Sequence, residues 1–169
     1  MKRAINNISI VIPVFNEEKN IINLLEELQS SLNNKIKYEI LLVDDGSTDN
    51  TISNVKSKID LYNNLKLIVH EKNYGQSTGL LTGIKSAKYD YIVTLDGDGQ
   101  NDPADILKLV KSYNCSIPFF LVIGNRKKRL DKFSRRIASP EFSTALSIKS
   151  AIFKALEACS PSTSGFSLP

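Results

Sequence analysis

Two aspartates separated by one residue, in the run Asp96-Gly97-Asp98, carry the clearest chemistry in this chain. They directly follow the apolar run Tyr91–Leu95, which is typical of a buried strand. In a turn just beyond a strand the two carboxylates can converge, and they then repel each other unless a cation lies between them. Mg²⁺ or Mn²⁺ suits oxygen ligands and leaves positions for phosphate oxygens, and Gln100 offers a further neutral oxygen. The sequence therefore predicts a divalent-metal site, with a polar turn that binds nothing as the alternative.

Two further carboxylates, Glu17 and Asp45, also follow apolar runs. A carboxylate can accept hydrogen bonds from the N–H groups of a nucleobase edge or from ribose hydroxyls. The alternative for Glu17 is a capping role in the first turn of a helix, and for Asp45 a bond within its own turn. The acidic run from 44 to 49, DDGSTD, is harder to explain by capping alone.

A basic segment lies between Gly124 and Arg136, where seven lysines and arginines accompany one acid, Asp131. Such a patch needs an anionic partner, which would be phosphate, anionic lipid or nucleic acid, unless it is only a solvated helix face. Only Phe133 is aromatic there, so a stacking platform for nucleic acid is disfavoured and we expect no nucleic-acid partner.

The sequence also argues against several other kinds of site. His70 is the only histidine, and the two cysteines, Cys115 and Cys159, lack the CxxC spacing of zinc ligands. The sequence therefore offers too few residues for Ser-His or Cys-His nucleophilic catalysis. The segment from Gly75 to Gly79 lacks the Walker A and GxGxxG patterns, although it precedes a helical pattern and its N–H groups could bind an anion.

Short apolar runs alternate with helical patterns along the chain, which predicts a mainly parallel sheet covered by helices on both faces. The expected strands are Ile8–Ile12, Glu39–Val43, Leu65–Val69, Tyr91–Leu95 and Phe119–Ile123. We expect Asn16 and Asp102 to cap the helices that follow them. Ligands of such sheets bind outside the carboxyl ends of the strands. The three acidic loops are therefore expected to meet at one edge.

Four ordered motifs resemble those of family 2 glycosyltransferases of the GT-A fold, in the dolichyl-phosphate mannosyltransferase-like branch. They are VIPVFNEE (11–18), EILLVDDGSTD (39–49), NYGQ (73–76) and TLDGDGQNDP (94–103). Gly124-Asn125-Arg126 and the run from 135 to 139 resemble the next block of that branch. The resemblance covers about residues 6 to 139 and implies a Rossmann-like, three-layer α/β sandwich.

This resemblance implies a glycosyltransferase that moves a sugar from a GDP- or UDP-sugar to a polyprenyl phosphate or related glycan. Inversion at the anomeric carbon and metal-assisted departure of the diphosphate are expected. The implied nucleotide-sugar site consists of Pro13, Phe15, Glu17, Asp45, Asp96 and Arg126, with Asp45 at the base. The implied metal ligands are Asp96, Asp98 and Gln100, binding Mg²⁺ or Mn²⁺. Asp98 and Arg126 would be catalytic, and Arg135 would bind the acceptor phosphate.

The C-terminal residues differ in character from the rest of the chain. Asparagine occurs 15 times before residue 139 and not after it. We expect a donor-binding GT-A domain over 6–139 and an atypical tail over 140–169, in which the acceptor part is incomplete. The stretch from Ala138 to Ala158 is expected to be helical, and Ser160 to Pro169 a frayed end. Alternatives are an inactive nucleotide-binding fragment and a transferase acting on polysaccharide or protein hydroxyls.

The cell location is predicted from two absences in the sequence. The longest apolar run, Ile117–Ile123, is too short to cross a bilayer. The first residues lack the long apolar core of a signal peptide. We therefore expect a cytoplasmic protein, peripheral on the cytoplasmic face of the membrane, that contacts the anionic surface through residues 126–136.

Overall fold

A computed structural model describes residues 5–112, 121–123 and 150–154 of the 169-residue chain. Strands and helices alternate over residues 7–112, and two further strands follow. The strands are β1 (Asn7–Val14), β2 (Lys37–Asp44), β3 (Leu65–Val69), β4 (Tyr91–Leu95), β5 (Leu121–Ile123) and β6 (Ser150–Lys154). The helices are α1 (Ile21–Leu32), α2 (Thr51–Lys58), α3 (Gln76–Lys85) and α4 (Asp105–Ser112), with a 3₁₀ turn at Ile59–Leu61.

The six strands form one sheet in the order β3-β2-β1-β4-β6-β5. β1 lies between β2 and β4, and all of the pairs among β1 to β4 are parallel. Val14 is paired with Asp44, so the loops after β1 and β2 begin side by side. The register of β1 with β4 joins Val11 to Thr94, which brings Asp96 level with Pro13. The register therefore places all three acidic loops at the same edge of the sheet.

Helices cover both faces of this sheet, as the alternation of apolar runs predicts. The larger core lies on one face, where buried side chains of α1, α2 and α4 pack on inward-facing residues of the strands. On the other face, Leu80 and Ile84 of α3 pack against Val11, Leu41 and Ile92. Strands β1 and β2 are buried on both sides, which explains their unbroken apolar runs. The expected three-layer α/β architecture is confirmed.

The helix expected between Ala138 and Ala158 is wrong for Ser150–Lys154, which form β6 instead. β6 runs antiparallel to both β4 and β5 and completes the sheet between them. A short apolar run such as 151–153 cannot be assigned to helix or strand by periodicity alone, and here pairing with β4 decides. Within the described ranges, no helix is long and apolar enough to cross a membrane.

Candidate functional site

A cleft of about 430 Å³ opens at the carboxyl ends of β1, β2 and β4. Its walls come from the loops after β1, β2, β3 and β4 and from the start of α3. The lining residues are Pro13, Val14, Phe15, Glu17, Asp45, Asn73, Gln76, Asp96, Gly97 and Asp98. The structure thus brings together six of the residues that the sequence analysis singled out. Gln100 is not among the lining residues, and Arg126 and Arg135 lie outside the described residues.

The loops after β1 and β2 are joined by hydrogen bonds between the backbone of one and side chains of the other. The N–H of Asn16 donates to Ser47 Oγ at 2.9 Å, and the N–H of Glu17 donates to Thr51 Oγ1 at 2.9 Å. In return, Asn16 Oδ1 accepts from the N–H of Thr48 at 2.9 Å. The sequence predicts that Asn16 caps α1, and this prediction is wrong: Asn20 occupies the N-cap position. Asn16 adopts a left-handed conformation with φ of 56° and connects the two loops.

Asp49 and Glu18 strengthen the same connection. The N–H of Glu18 donates to Asp49 Oδ2 at 3.2 Å, and the N–H of Asn50 donates to Glu18 Oε2 at 3.1 Å. Burial raises the pKa of Asp49, but hydrogen bonds from the hydroxyl and N–H of Thr51 and from Glu18 outweigh it. The pKa of Asp49 is therefore lowered from its usual 3.8. The ionised carboxylate is the form that holds these loops together.

Asp45 is almost fully buried and binds the segment that follows β3. Its Oδ1 accepts from Tyr74 N at 3.0 Å and lies 2.8 Å from His70 Nδ1, and its Oδ2 accepts from Gly75 N at 2.7 Å. Burial raises the pKa of Asp45, yet the hydrogen bonds from His70, Tyr74 and Gly75 outweigh burial and lower it from 3.8. Of the segment 75–79, whose N–H groups could bind an anion, Gly75 thus donates to this carboxylate.

The alternative role considered for Asp45, a hydrogen bond within its own turn, belongs to its neighbour. The N–H of Ser47 donates to Asp44 Oδ2 at 2.8 Å. Asp45 also lines the cleft, and its contact with a nucleobase stays a prediction.

The two aspartates after β4 lie on the opposite wall of the cleft from the loop of Asp45. Asp96 Oδ1 accepts from Gln76 Nε2 at 3.1 Å, and Asp98 Oδ1 accepts from the N–H of Gln100 at 3.0 Å. Gln100 therefore supports Asp98 through its backbone, and its side chain as a metal ligand stays a prediction. At the next helix, Asp102 Oδ1 accepts from the N–H of Ala104 at 2.8 Å, which is the expected capping interaction.

The donor set of this wall fits a hard divalent cation that shares its coordination with phosphate. Across 5–112 and the two short ranges beyond, no group of three or more His, Cys, Asp or Glu side chains could hold a metal alone. Asp96 and Asp98 supply two carboxylates toward one cleft. Mg²⁺ and related ions are commonly bound by one or two carboxylates together with substrate phosphates. The arrangement therefore suits a metal that arrives with a diphosphate.

Two polar contacts of the site were not predicted from the sequence. Gln76 stands in the sequence only as part of the motif NYGQ, yet its side chain reaches from α3 to Asp96. His70 is the only histidine and gives the sequence no catalytic pair, yet it contacts Asp45, which lines the cleft. Both residues come directly after β3 or open α3, at the carboxyl edge of a parallel sheet. That position is the signal that could have identified them.

The model of the family described as "Glycosyl transferase family 2" matches residues 9–161 of this chain. The match passes residue 139, the expected end of the donor-binding domain, and it includes β6. Undecaprenyl-phosphate 4-deoxy-4-formamido-L-arabinose transferase from Proteus mirabilis is 37% identical over 138 residues, which are 80% of this chain and 41% of that protein. The chain spans about two fifths of the length of the first curated relatives that it matches.

Solved structures with the same fold contain nucleotide sugars. TarS from S. aureus in complex with UDP-GlcNAc aligns with a TM-score of 0.58 at 25% identity, covering 75% of this chain and 37% of that one. The mannosyltransferase PcManGT from Pyrobaculum calidifontis, in complex with GDP-Man and Mn²⁺, aligns with a TM-score of 0.54 at 25% identity. That alignment covers 62% of this chain and 31% of the other.

Proposed function

The chain belongs to glycosyl transferase family 2, and on this basis we propose that it transfers a sugar from a nucleoside-diphosphate donor to a polyprenyl phosphate. The observation that carries the proposal is the cleft in which Glu17, Asp45, Asp96 and Asp98 face one space. A relative named as an undecaprenyl-phosphate sugar transferase supports the acceptor class. Structures solved with GDP-Man and UDP-GlcNAc support the donor class.

The β1 side of the cleft would bind the nucleoside. Phe15 exposes 43% of its surface beside Pro13, so its ring offers an apolar face to a flat base. Glu17 and Asp45 line the same space, and their carboxylates suit the N–H groups of a base or the hydroxyls of ribose. Asp45 accepts three hydrogen bonds from the protein, and these bonds fix the orientation in which its carboxylate would meet a base.

Asp96 and Asp98 would hold Mg²⁺ or Mn²⁺ together with the donor diphosphate, with Gln100 as a further ligand. When bound, the metal stabilises the negative charge that develops on the departing diphosphate. Gln76 donates to Asp96 Oδ1 and so limits the orientations of this carboxylate. The backbone of Gln100 does the same for Asp98.

The transfer itself is proposed as a single displacement with inversion. A phosphate oxygen of the acceptor forms the new bond to the anomeric carbon. The bond from that carbon to the diphosphate oxygen breaks, and the electron pair leaves with the diphosphate. Because an acceptor phosphate is already ionised near neutral pH, the reaction needs no strong general base. Arg126 is proposed to neutralise the leaving diphosphate and Arg135 to bind the acceptor phosphate, and both lie outside the described residues.

Contact with the membrane is proposed through the basic segment 126–136, which also lies outside the described residues. Basic residues near an anionic leaflet contribute about 1 kcal/mol each to binding. A lipid-linked acceptor requires the active site to approach the surface, so we propose a peripheral location on the cytoplasmic face. Vesicles that contain phosphatidylserine should therefore sediment the protein at low salt, and neutral phosphatidylcholine vesicles should not.

The donor site is tested by calorimetry of UDP and GDP binding to the full chain, with and without Mn²⁺. Asp98→Ala should abolish the gain in affinity that Mn²⁺ gives the wild type. Asp90→Ala is the matched control, because Asp90 is exposed at the opposite end of the same strand, immediately before Tyr91. Unchanged Mn²⁺ dependence in Asp98→Ala would show that the metal assignment is wrong.

The transfer step is tested with radiolabelled UDP- and GDP-sugars and undecaprenyl phosphate in mixed micelles. We expect label in the organic phase, and loss of that label in Asp98→Ala but not in Asp90→Ala. Nucleotide binding without transfer would favour the nucleotide-binding alternative. Labelling of a polysaccharide or protein hydroxyl instead would favour the other transferase alternative.

A further inference from the structure

His70 lies immediately after β3, and its side chain is only 12% exposed. Its Nδ1 is 2.8 Å from Asp45 Oδ1, and its Nε2 is 3.0 Å from Thr82 Oγ1 on α3. The ring of Tyr74 packs against the imidazole edge-on, with 5.6 Å between the ring centres. The imidazole is therefore held by the loop after β2, by α3 and by the segment before that helix.

The partners of His70 determine which ring nitrogen carries the proton. The ionised carboxylate of Asp45 can only accept a hydrogen bond, so Nδ1 must be the donor. In the neutral imidazole, Nε2 is then an acceptor, and the hydroxyl of Thr82 must donate to it. The hydrogen bonds run in one direction, from Thr82 to His70 and from His70 to Asp45.

The orientation of Asp45 in turn determines the position of one wall of the cleft. Its carboxylate accepts the N–H groups of Tyr74 and Gly75, and both atoms belong to the segment that opens α3. Asn73 and Gln76, on either side of this pair, line the cleft. Gln76 also donates to Asp96 on the opposite side. A rotation of the Asp45 carboxylate would therefore displace groups on both sides of the cleft.

We propose that His70 is a positioning residue for nucleotide binding, because its Nδ1–H holds the Asp45 carboxylate in the orientation that fixes the segment 73–76. His70 does not line the cleft, so it acts through Asp45 and not by contact with the nucleotide. The proposal rests on the proposed function, since it concerns the binding of a nucleoside diphosphate. In this proposal the hydrogen bond from Nδ1 to Asp45 is the important contact, and the hydrogen bond with Thr82 is secondary.

Two isosteric replacements separate these contacts. In His70→Asn the amide nitrogen lies near the position of Nδ1, so the donor to Asp45 is kept and the contact with Thr82 is lost. In His70→Gln the amide lies near the position of Nε2, so the contact with Thr82 is kept and the donor to Asp45 is lost. Thr82→Val removes the hydroxyl alone.

The readout is the affinity of the full chain for UDP and GDP in the presence of Mn²⁺, measured beside the urea midpoint of each variant. Loss of one hydrogen bond to a charged group predicts about tenfold weaker binding for His70→Gln. His70→Asn and Thr82→Val should bind nearly as the wild type does. Equal affinities for His70→Gln and the wild type, or equal losses for His70→Gln and His70→Asn, would overturn the proposal.

The tautomer gives a measurement that needs no variant. The ¹⁵N chemical shifts of the single imidazole in the wild type should report a protonated Nδ1 and an unprotonated Nε2 when the ring is neutral. The opposite tautomer would overturn the proposal. Failure of the wild type to bind UDP or GDP would overturn the proposed function and this inference with it. Wild-type binding with undiminished binding by His70→Gln would overturn this inference alone.

Discussion

Gly97, between the two aspartates of the cleft, is expected to tolerate no side chain. A methyl group at this position would lie 2.5 Å from Val14 Cγ1 and 3.3 Å from the carbonyl oxygen of Pro13. Val14 is only 3% exposed, so it has little room to move. Favourable contact between carbon atoms begins near 3.5 Å, and Gly97→Ala therefore requires a displacement of about 1 Å at the turn or at β1.

The expected cost follows from that displacement. Overpacking a dense site by one methyl group typically costs about 1–3 kcal/mol of folding free energy. If the turn moves and β1 stays, Asp96 and Asp98 shift by the same distance relative to the nucleoside side of the cleft. A misplacement of about 1 Å in a positioned group can lower a reaction rate by roughly a hundredfold. We therefore expect Gly97→Ala to weaken Mn²⁺-dependent UDP binding by at least about tenfold.

Gly99→Ala is the matched comparison, because it is two residues away in the same turn and has the opposite problem. Its φ is +66°, which is strained for alanine, but the nearest atom to the new methyl would be Asn20 Cβ at 3.9 Å. We expect a stability loss of about 1–2 kcal/mol in urea unfolding and little change in Mn²⁺-dependent affinity. Wild-type affinity in Gly97→Ala, or a greater loss of affinity in Gly99→Ala, would refute this reasoning.

Three further predictions concern stability. The folded-state pKa of Asp45 lies below 3.8, so its ionised form stabilises the fold above that pH and the contribution is lost as the pH falls through the folded-state value. The stability advantage of the wild type over Asp45→Asn in urea unfolding should therefore shrink as the pH falls below about 4. Gly83→Ala should be less stable than Gly79→Ala by about 1–3 kcal/mol in urea unfolding. The methyl group added at Gly83 would overlap Val11 Cγ1, whereas the one added at Gly79 would approach Pro13 Cβ at 3.2 Å. Asn16→Ala should lower the thermal midpoint, because the N–H of Thr48 loses its acceptor; an unchanged midpoint would contradict the role given to this loop connection.

The layered fold and the meeting of the acidic loops were predictable because they depend on the pattern of apolar residues along the sequence. Apolar runs buried on both faces, separated by helices, specify a parallel sheet and therefore the edge at which its loops meet. The direction of individual side chains was not predictable in this way. Asn16 carries the usual signal for a helix cap, yet Thr48, 32 residues away along the chain, competes for its side chain.

The reason for a glycine at a given position was also hidden in the sequence. The turn after β4 contains Gly97 and Gly99, which look alike as flexible residues. Only Gly99 has a left-handed backbone, whereas Gly97 is needed because Val14 packs against it. Similarly, the strand at Ser150–Lys154 depends on pairing with β4, about sixty residues earlier, and short local patterns carry no information about that partner.

The hydrogen bonds between the loops after β1 and β2 have a consequence for the thermodynamics of ligand recognition. Asn16 and Glu17 are fixed by Ser47 and Thr51, residues more than thirty positions away. The conformational entropy of this wall is therefore removed when the protein folds, before a nucleotide arrives. Because this side of the cleft is already ordered, differences in nucleotide affinity there should appear mainly in the enthalpy of binding. Another aromatic residue could also replace the exposed Phe15 without a change in the conformation of the loop.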